Sequence, residues 1–368
     1  MSNVYREVTQ TGYLRNILNS FVGALIGLLL FFGSFFVIWW NEGRTNMALV
    51  AAESMPATAS AIAATNEGKF VAVTGDLAAT EPIGDAPYFK PGAYLQLDRK
   101  VEMFAWDEES RSETRDQVGG GSETVTEYTY EKKWTSSPEN SANFKQPDGH
   151  ANPPLTIEGA TVQAPGATLG AFGLDLSQLT LPGGTAVVLS SQNVLTDAAK
   201  LDGSYLFIGQ GTQSNPQIGD VRISYTALDS PAAVTVFGQQ SGERLTPYLY
   251  EQSSTFFRAL NGDRNAAIQA LQTEHTVITW LLRGGGFLMI WIGLLLVVSP
   301  LGTVAGVLPI LKQITGFISG IVTFLVALVI WGVVTLIAVV LHNIWLALAA
   351  ALLVVALLFF FLRRRQSV

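Results

Sequence analysis

The side chains best suited to acid–base or ligand chemistry are the three histidines, His150, His275 and His342. They lie far apart, and none shows the H-E-x-x-H or related spacing that sets two ligands on one helix face. No metal site is expected. The most site-like stretch is Asp148-Gly149-His150-Ala151-Asn152-Pro153. His150 with a nearby carboxylate would make a general acid–base pair. The competing reading, a turn whose Asp148 and Asn152 bond their own backbone, carries more weight. Asp107-Glu108-Glu109 offers oxygens for calcium, but Arg111 and Arg115 stand beside it to neutralise it. The chain has no cysteine, which removes thiolate catalysis, disulfides and Cys-ligated metals. It has no G-x-S-x-G, Walker or dinucleotide motif. No catalytic residue and no cofactor are expected.

The elements that must carry such groups are largely membrane helices. Charged residues make up 14% of the 368 positions and hydrophobic residues 49%, a composition that leans toward a membrane. A span needs about 20 apolar residues. The runs that qualify are 17–40, 280–301, 317–341 and 344–362. The expected fold class is therefore a membrane protein of α+β type. It has four transmembrane helices, one N-terminal and three C-terminal, and a large extramembrane β-rich domain over 41–279. Residues 1–16 and 363–368 form short cytoplasmic ends, and 302–316 a cytoplasmic or interfacial loop. Arg6, Arg15, Lys312 and Arg363-Arg364-Arg365 all fall on one side of an even number of spans, which by the positive-inside rule is the cytoplasm. Trp39, Trp40, Trp280 and Trp345 fall at the outer ends, where indoles favour the interface. Arg283, one turn into the second span, reads as an interface anchor or the partner of a carboxylate, and His342 as a headgroup-facing turn residue. A proton or ion path needs ionisable groups deep in the spans, and none stands there. The lipid bilayer is the expected partner. The net charge of −7 and the lack of a basic stripe argue against nucleic acid. Gly284-Gly285-Gly286, Gly23-x-x-x-Gly27 and Gly316-x-x-x-Gly320 have the small-residue character of close helix packing.

In the outer domain, 41–64 is Ala-rich and reads as a helix continuing the first span, apart from Pro56. Strand signals follow at 70–74, 186–189, 205–208, 221–226 and 233–237. Residues 99–114 and 122–135 flank Gly119-Gly120-Gly121 and read as a long β-hairpin. Thr124, Thr126, Tyr128, Tyr130 and Trp134 share one face of its second arm. A helix capped by Asp263 then leads into the second span.

Six segments stand out in order along nearly the whole chain: Trp40-Asn41-Glu42-Gly43-Arg44, Val101-Glu102-Met103-Phe104-Ala105-Trp106, Asn140-Ser141-Ala142-Asn143-Phe144, Gly149-His150-Ala151-Asn152-Pro153, Gly219-Asp220-Val221-Arg222-Ile223-Ser224-Tyr225 and Val234-Thr235-Val236. In these segments the sequence resembles the transmembrane protein 43 (LUMA) family. The resemblance implies one span, a large lumenal domain and three clustered spans. It also implies a non-enzymatic scaffold that self-associates and organises or monitors membrane protein complexes, in the endoplasmic reticulum or inner nuclear membrane in animals. The Ala- and Gly-rich, cysteine-free composition points to a bacterial member, with the domain in the periplasm and the helices in the inner membrane. An oligomeric channel or lipid conduit, and a membrane-surface enzyme using His150, stand as alternatives. Asn41, Glu42, Gly43 and Arg44 are expected to form a structural junction, with Glu42 and Arg44 pairing with each other, with Arg283 or with headgroups.

Overall fold

The computed structural model describes residues 3–195, 198–251, 254–305, 309–343, 345–349 and 352. The strands are β1 (Val4–Thr11), β2 (Met55–Thr58), β3 (Phe70–Ala79), β4 (Ile83–Asp85), β5 (Phe89–Gly92), β6 (Tyr94–Asp116), β7 (Ser122–Thr135), β8 (Ala160–Gln163), β9 (Ala167–Leu169) and β10 (Phe172–Leu174). They continue with β11 (Thr185–Ala186), β12 (Lys200–Asp202), β13 (Tyr205–Ile208), β14 (Val221–Asp229), β15 (Ala232–Ser241), β16 (Arg244–Thr246), β17 (Tyr248–Glu251), β18 (Ser254–Phe256) and β19 (Arg258–Asn261). The helices are α1 (Tyr13–Glu42), α2 (Met47–Ala52), α3 (Arg264–Ala305) and α4 (Pro309–His342). The chain divides into two compact units: 1–6, 47–111 and 127–272, and 7–46, 112–126 and 273–368.

The first unit is the β-rich domain. One sheet runs β1-β7-β6-β14-β13-β12, and a second runs β19-β15-β16-β10-β9-β3-β2. Side chains of both sheets fill one core. Leu97, Val101 and Met103 of β6 and Ile223 of β14 meet Val71, Val73 and Leu77 of β3 and Val236 of β15. The register Val101↔Ile223 and Met103↔Val221 places apolar residues opposite one another on the inner face. Phe70 and Ala72, pointing the other way along β3, pack with Phe237, Ala48 and Ala51 of α2, and Ala267 and Leu271 of α3. Both faces of β3 are thus covered, which is why Phe70-Val71-Ala72-Val73 is continuously apolar rather than alternating. Gly238 of β15 faces this crowding. A Cβ there would stand 2.9 Å from the Phe257 ring and from the Thr246 carbonyl oxygen. Asp263 caps α3 as expected, its carboxylate accepting from the Ala266 N–H at 2.8 Å.

The second unit is a helix bundle. Ile38, Ile290, Ala327 and Ala338 form its buried centre, with Phe31, Phe35, Phe287, Trp291 and Trp331 around them. A Cβ on Gly27 would meet the Gly293 carbonyl oxygen at 2.7 Å and Leu296 Cβ at 2.8 Å, so α1 and α3 cross backbone to backbone. Gly286 is pressed on Ile38, while Gly284, Gly285 and Gly320 have nothing within 4 Å of a Cβ. Among the described residues, three helices are long and apolar enough to cross a membrane: Tyr13–Ala52, Arg264–Thr303 and Ser319–His342. Leu18, Leu25, Leu29 and Phe36 of α1 and Val329 and Leu336 of α4 point outward. Such an apolar exterior is suited to lipid rather than water.

Several sequence expectations are corrected. The helix expected over 41–64 ends at Glu42. Gly43 interrupts it, and after the short α2 the chain enters β2, which pairs parallel with β3 and holds Pro56 at the end of the sheet order. The loop expected at 302–316 is mostly helical, since α3 runs to Ala305 and α4 starts at Pro309, where a first-turn proline forfeits no hydrogen bond. The strand expected at 186–189 is reduced to Thr185–Ala186. The fourth span, 344–362, and the tail 363–368 lie outside the described residues except for 345–349 and 352, which are helical. Residues 1–16 are not a free tail. Val4–Thr11 is a strand paired with β7, its β-branched and aromatic residues suiting a sheet, and Asn16 donates to the Gly120 carbonyl at 3.1 Å. The hairpin tip therefore touches the N-terminal end of α1, where the sequence reading separated them by a bilayer.

Candidate functional site

The junction expected at Asn41-Glu42-Gly43-Arg44 is built where α1, α3 and α4 meet within the helical unit. The Glu42 carboxylate takes Nε of Arg283 on one oxygen at 2.7 Å and Nη2 on the other at 2.8 Å. This fork-on-fork pairing is the strongest geometry available to two opposite charges. The pair is shielded, with side-chain exposures of 8% for Glu42 and 19% for Arg283. The guanidinium also lies 5.0 Å from the Trp280 ring centre, and the Trp331 indole donates to the Arg283 carbonyl at 2.9 Å. Arg283 is thus the carboxylate partner that its place in the sequence suggested.

The remaining motif residues close the joint. Asn41 is buried and donates from Nδ2 to the Thr279 carbonyl and to Glu42 Oε1, each at 3.2 Å. Arg44 donates from Nε to Asn41 Oδ1 at 3.3 Å, and from Nη2 to Thr279 Oγ1 at 3.1 Å and the His275 carbonyl at 3.4 Å. All three acceptors are neutral, so Glu42 and Arg44 do not pair with each other. Gly43 lets the His342 ring pack close, since a Cβ there would meet His342 Nε2 at 2.7 Å and displace the ring. His342 ends α4 rather than lying in a turn; it is exposed and lies against Trp39, ring centres 4.2 Å apart. Trp39, Trp40, Trp280 and Trp345 are exposed, as interfacial indoles would be. Sequence reasoning missed Thr279 and the His275 carbonyl. Their signal is spacing alone, since residues 275, 279 and 283 recur every four positions on one face of α3.

The second candidate, Asp148–His150–Asn152, lies in the β-rich unit and does not form an acid–base pair. His150 is 1% exposed. Its ring stacks on Tyr130 at 4.1 Å and meets the Trp106 ring edge-on at 4.7 Å. Its Nδ1 faces the Gln146 carbonyl at 2.9 Å, which makes Nδ1 the protonated nitrogen. The Tyr130 hydroxyl donates to Glu108 at 2.6 Å, and Lys145 N–H donates to the same oxygen at 2.6 Å. Burial first, then the bond to the Glu108 carboxylate, push the Tyr130 hydroxyl up to about 12. Asn152 pins the segment to β6. Its Oδ1 accepts from Trp106 N–H at 2.7 Å, and its Nδ2 donates to the carbonyls of Trp106 at 2.8 Å and Glu139 at 3.1 Å. Asp148 is exposed. Asp107 pairs with Lys133 at 2.5 Å, rather than with the arginines expected to neutralise it.

Two buried polar groups escaped the sequence reading. Asp85 accepts from Arg99 Nη1 at 2.8 Å and from the Tyr225 hydroxyl at 2.6 Å. Burial and the Asp85 carboxylate push the Tyr225 hydroxyl far up. Glu102 pairs with Arg222 and Lys100. Burial alone would raise its carboxyl, but these two cations outweigh it and hold it below the usual range. Arg99↔Tyr225 and Glu102↔Arg222 are cross-strand partners, so each group braces the β6–β14 pair. Among the described residues, no group of three or more His, Cys, Asp or Glu is placed to hold a metal.

The fold and the junction define a multi-pass membrane protein whose large β-rich domain is inserted between its first helix and a C-terminal helical bundle. The family model for transmembrane protein 43 matches residues 103–363, and the chain belongs to that family. Transmembrane protein 43 of Mus musculus is 30% identical over 333 residues, covering 83% of this chain and 80% of the relative. The Homo sapiens protein is 28% identical over 326 residues, covering 83% and 81%. The Drosophila melanogaster homolog is 26% identical over 284 residues, covering 73% and 75%. No solved structure matches the chain.

Proposed function

We propose that this protein is a non-enzymatic membrane scaffold that self-associates and organises or monitors membrane protein complexes. The observation that carries the reading is the shielded Glu42–Arg283 pair with Asn41 and Arg44 around it. It locks the helix that enters the β-rich domain to the helix that leaves it, as a platform needs. The site-like polar clusters are consistent with this. Their polar atoms are spent on backbone groups, on tyrosines and on ion pairs, and His150 has a carbonyl where a general base would need a carboxylate or a substrate. The reading places the protein in a bacterial cell membrane, with the junction end of the bundle toward the periplasm and the start of α1 toward the cytoplasm. Energy transfer between donor- and acceptor-labelled copies in proteoliposomes tests it. Transfer that persists as lipid is added in excess is expected. Transfer that falls to the level of randomly mixed monomers refutes self-association.

A further inference from the structure

Strands β6 and β14 pair through two of the segments singled out in the sequence, Val101–Trp106 and Gly219–Tyr225. Val101, Met103, Val221 and Ile223 fill the core, so the alternate residues Glu102, Phe104 and Arg222 stand on the outer face of the first sheet. There the Arg222 guanidinium lies 4.5 Å from the ring centre of Trp134 on β7 and 4.5 Å from that of Tyr205 on β13. Its Nε donates to Glu102 at 2.8 Å. Among the described residues that is the only hydrogen bond of the side chain, so the terminal Nη1 and Nη2 groups are unspent, and 16% of the side chain is exposed. Glu102 is shared, since Lys100 Nζ lies 3.0 Å from its other oxygen. Asp220, two residues before Arg222, spends its carboxylate on the N–H groups of Gln210, Gly211 and Gln217. Two cations thus hold one carboxylate, which leaves a positive patch in a chain whose formal charge is −7.

We propose that the outer face of the first sheet around Arg222 is a docking surface for an acidic polypeptide segment, whose Asp or Glu carboxylate takes the two terminal nitrogens of Arg222. A guanidinium presents its N–H groups in a fixed planar fork that fits a carboxylate with two parallel bonds. The bond to Glu102 and the two rings already hold that fork in place, so little rotamer freedom is left to lose on binding. Trp, Tyr and Arg are the residue types that carry most of the energy of protein–protein contacts. Further along the face the His150 ring lies on Tyr130 at 4.1 Å and against Trp106 at 4.7 Å, whereas Trp134, Tyr205 and Arg222 keep part of their surface open and Lys100 beside them is exposed. All these residues belong to the β-rich unit, so a single copy carries the whole surface, and the docking does not depend on the self-association proposed above.

The test uses the full chain in discs of zwitterionic lipid and two short dye-labelled peptides, one alternating Glu with Gly and one alternating Gln with Gly. Fluorescence anisotropy is expected to show saturable binding of the Glu peptide and binding weaker by about tenfold for the Gln peptide. Arg222→Lys keeps a cation for Glu102 but loses the fork, and is expected to weaken the Glu peptide by about tenfold. Lys133→Gln removes a half-exposed cation that pairs with Asp107 elsewhere on the domain, and is expected to change the affinity by less than about twofold. Equal affinity for the two peptides, no change on Arg222→Lys, or an equal loss on Lys133→Gln overturns the proposal. A Glu peptide carrying a photo-crosslinker provides the check on the unaltered chain. Adducts are expected beside Trp134, Tyr205 and Arg222, and adducts confined to other parts of the chain count equally against the proposal. Failure of the Glu peptide to bind overturns this surface and leaves self-association standing, whereas a one-copy particle that binds it refutes self-association and leaves this surface standing.

Discussion

Replacing Glu42 by glutamine leaves the Arg283 guanidinium shielded to 19% exposure with no anion beside it. Removing one member of a buried pair costs roughly 3–5 kcal/mol, because the survivor keeps its desolvation and loses its partner. Here Arg283 keeps some solvent contact and the Trp280 ring at 5.0 Å, so we place the loss lower, at about 2–3 kcal/mol. Arg283→Met strands the carboxylate and is expected to cost a similar amount. The double variant Glu42→Gln/Arg283→Met removes both charges and is expected to cost no more than either single change, giving a coupling of about 2 kcal/mol. The assay is reversible unfolding by sodium dodecyl sulfate in mixed micelles. Tryptophan emission provides the signal, since Trp39, Trp280 and Trp331 all touch the joint through His342 or Arg283. Additive single effects, or single effects below about 0.5 kcal/mol, the size expected of an exposed pair, would refute the clasp.

Four further outcomes rest on the geometry. Gly27→Val drives a side chain into the Gly293 carbonyl and should destabilise the bundle by about 1–3 kcal/mol; an unchanged unfolding midpoint would contradict the close crossing of α1 and α3. Asn152→Ala orphans the N–H and C=O of Trp106 and should cost about 2–4 kcal/mol in the β-rich domain, read as a fall in that domain's melting temperature. Tyr130 is held neutral to about 12 against an ordinary 10.0; its contribution is fully present below pH 10 and lost as pH rises through 12, so Tyr130→Phe should flatten the stability profile in that window and nowhere below it. The opposite sign holds for Glu102, whose lowered carboxyl stabilises the fold at neutral pH and stops doing so as pH falls through its depressed value.

The first three of the four expected membrane helices were the most legible part of the sequence, because about twenty apolar residues leave few alternatives. The hairpin of β6 and β7 was legible for a similar reason, with period-two alternation on both sides of a glycine run. Arg283 was legible as a charge that needs a partner, although the choice of Glu42 over other carboxylates depends on how α1 and α3 cross at Gly27 and Gly293. Strand β1 was hidden because Val4–Thr11 mixes polar and apolar residues without an inner face, and its hydrogen bonds come from β7, more than a hundred positions away. The turn expected at Asp148–His150 is present, with His150 N–H donating to the Pro147 carbonyl at 3.0 Å, but Asn152 bonds Trp106 and Glu139 rather than its own backbone. A local reading offers a turn or an acid–base pair, whereas the ring is buried by Tyr130 and Trp106, which only the sheet brings alongside. The helix expected over 41–64 failed because alanine-rich composition says little once Gly43 breaks the chain and β3 offers Met55–Thr58 an edge to pair with.

The scaffold account is most directly tested by the mass of the particle extracted from its own membrane into polymer-bounded lipid discs, without detergent. The account predicts a protein mass that is a fixed multiple of 39.6 kDa, and two or more copies in every particle. A uniform population holding one 39.6 kDa chain would contradict it.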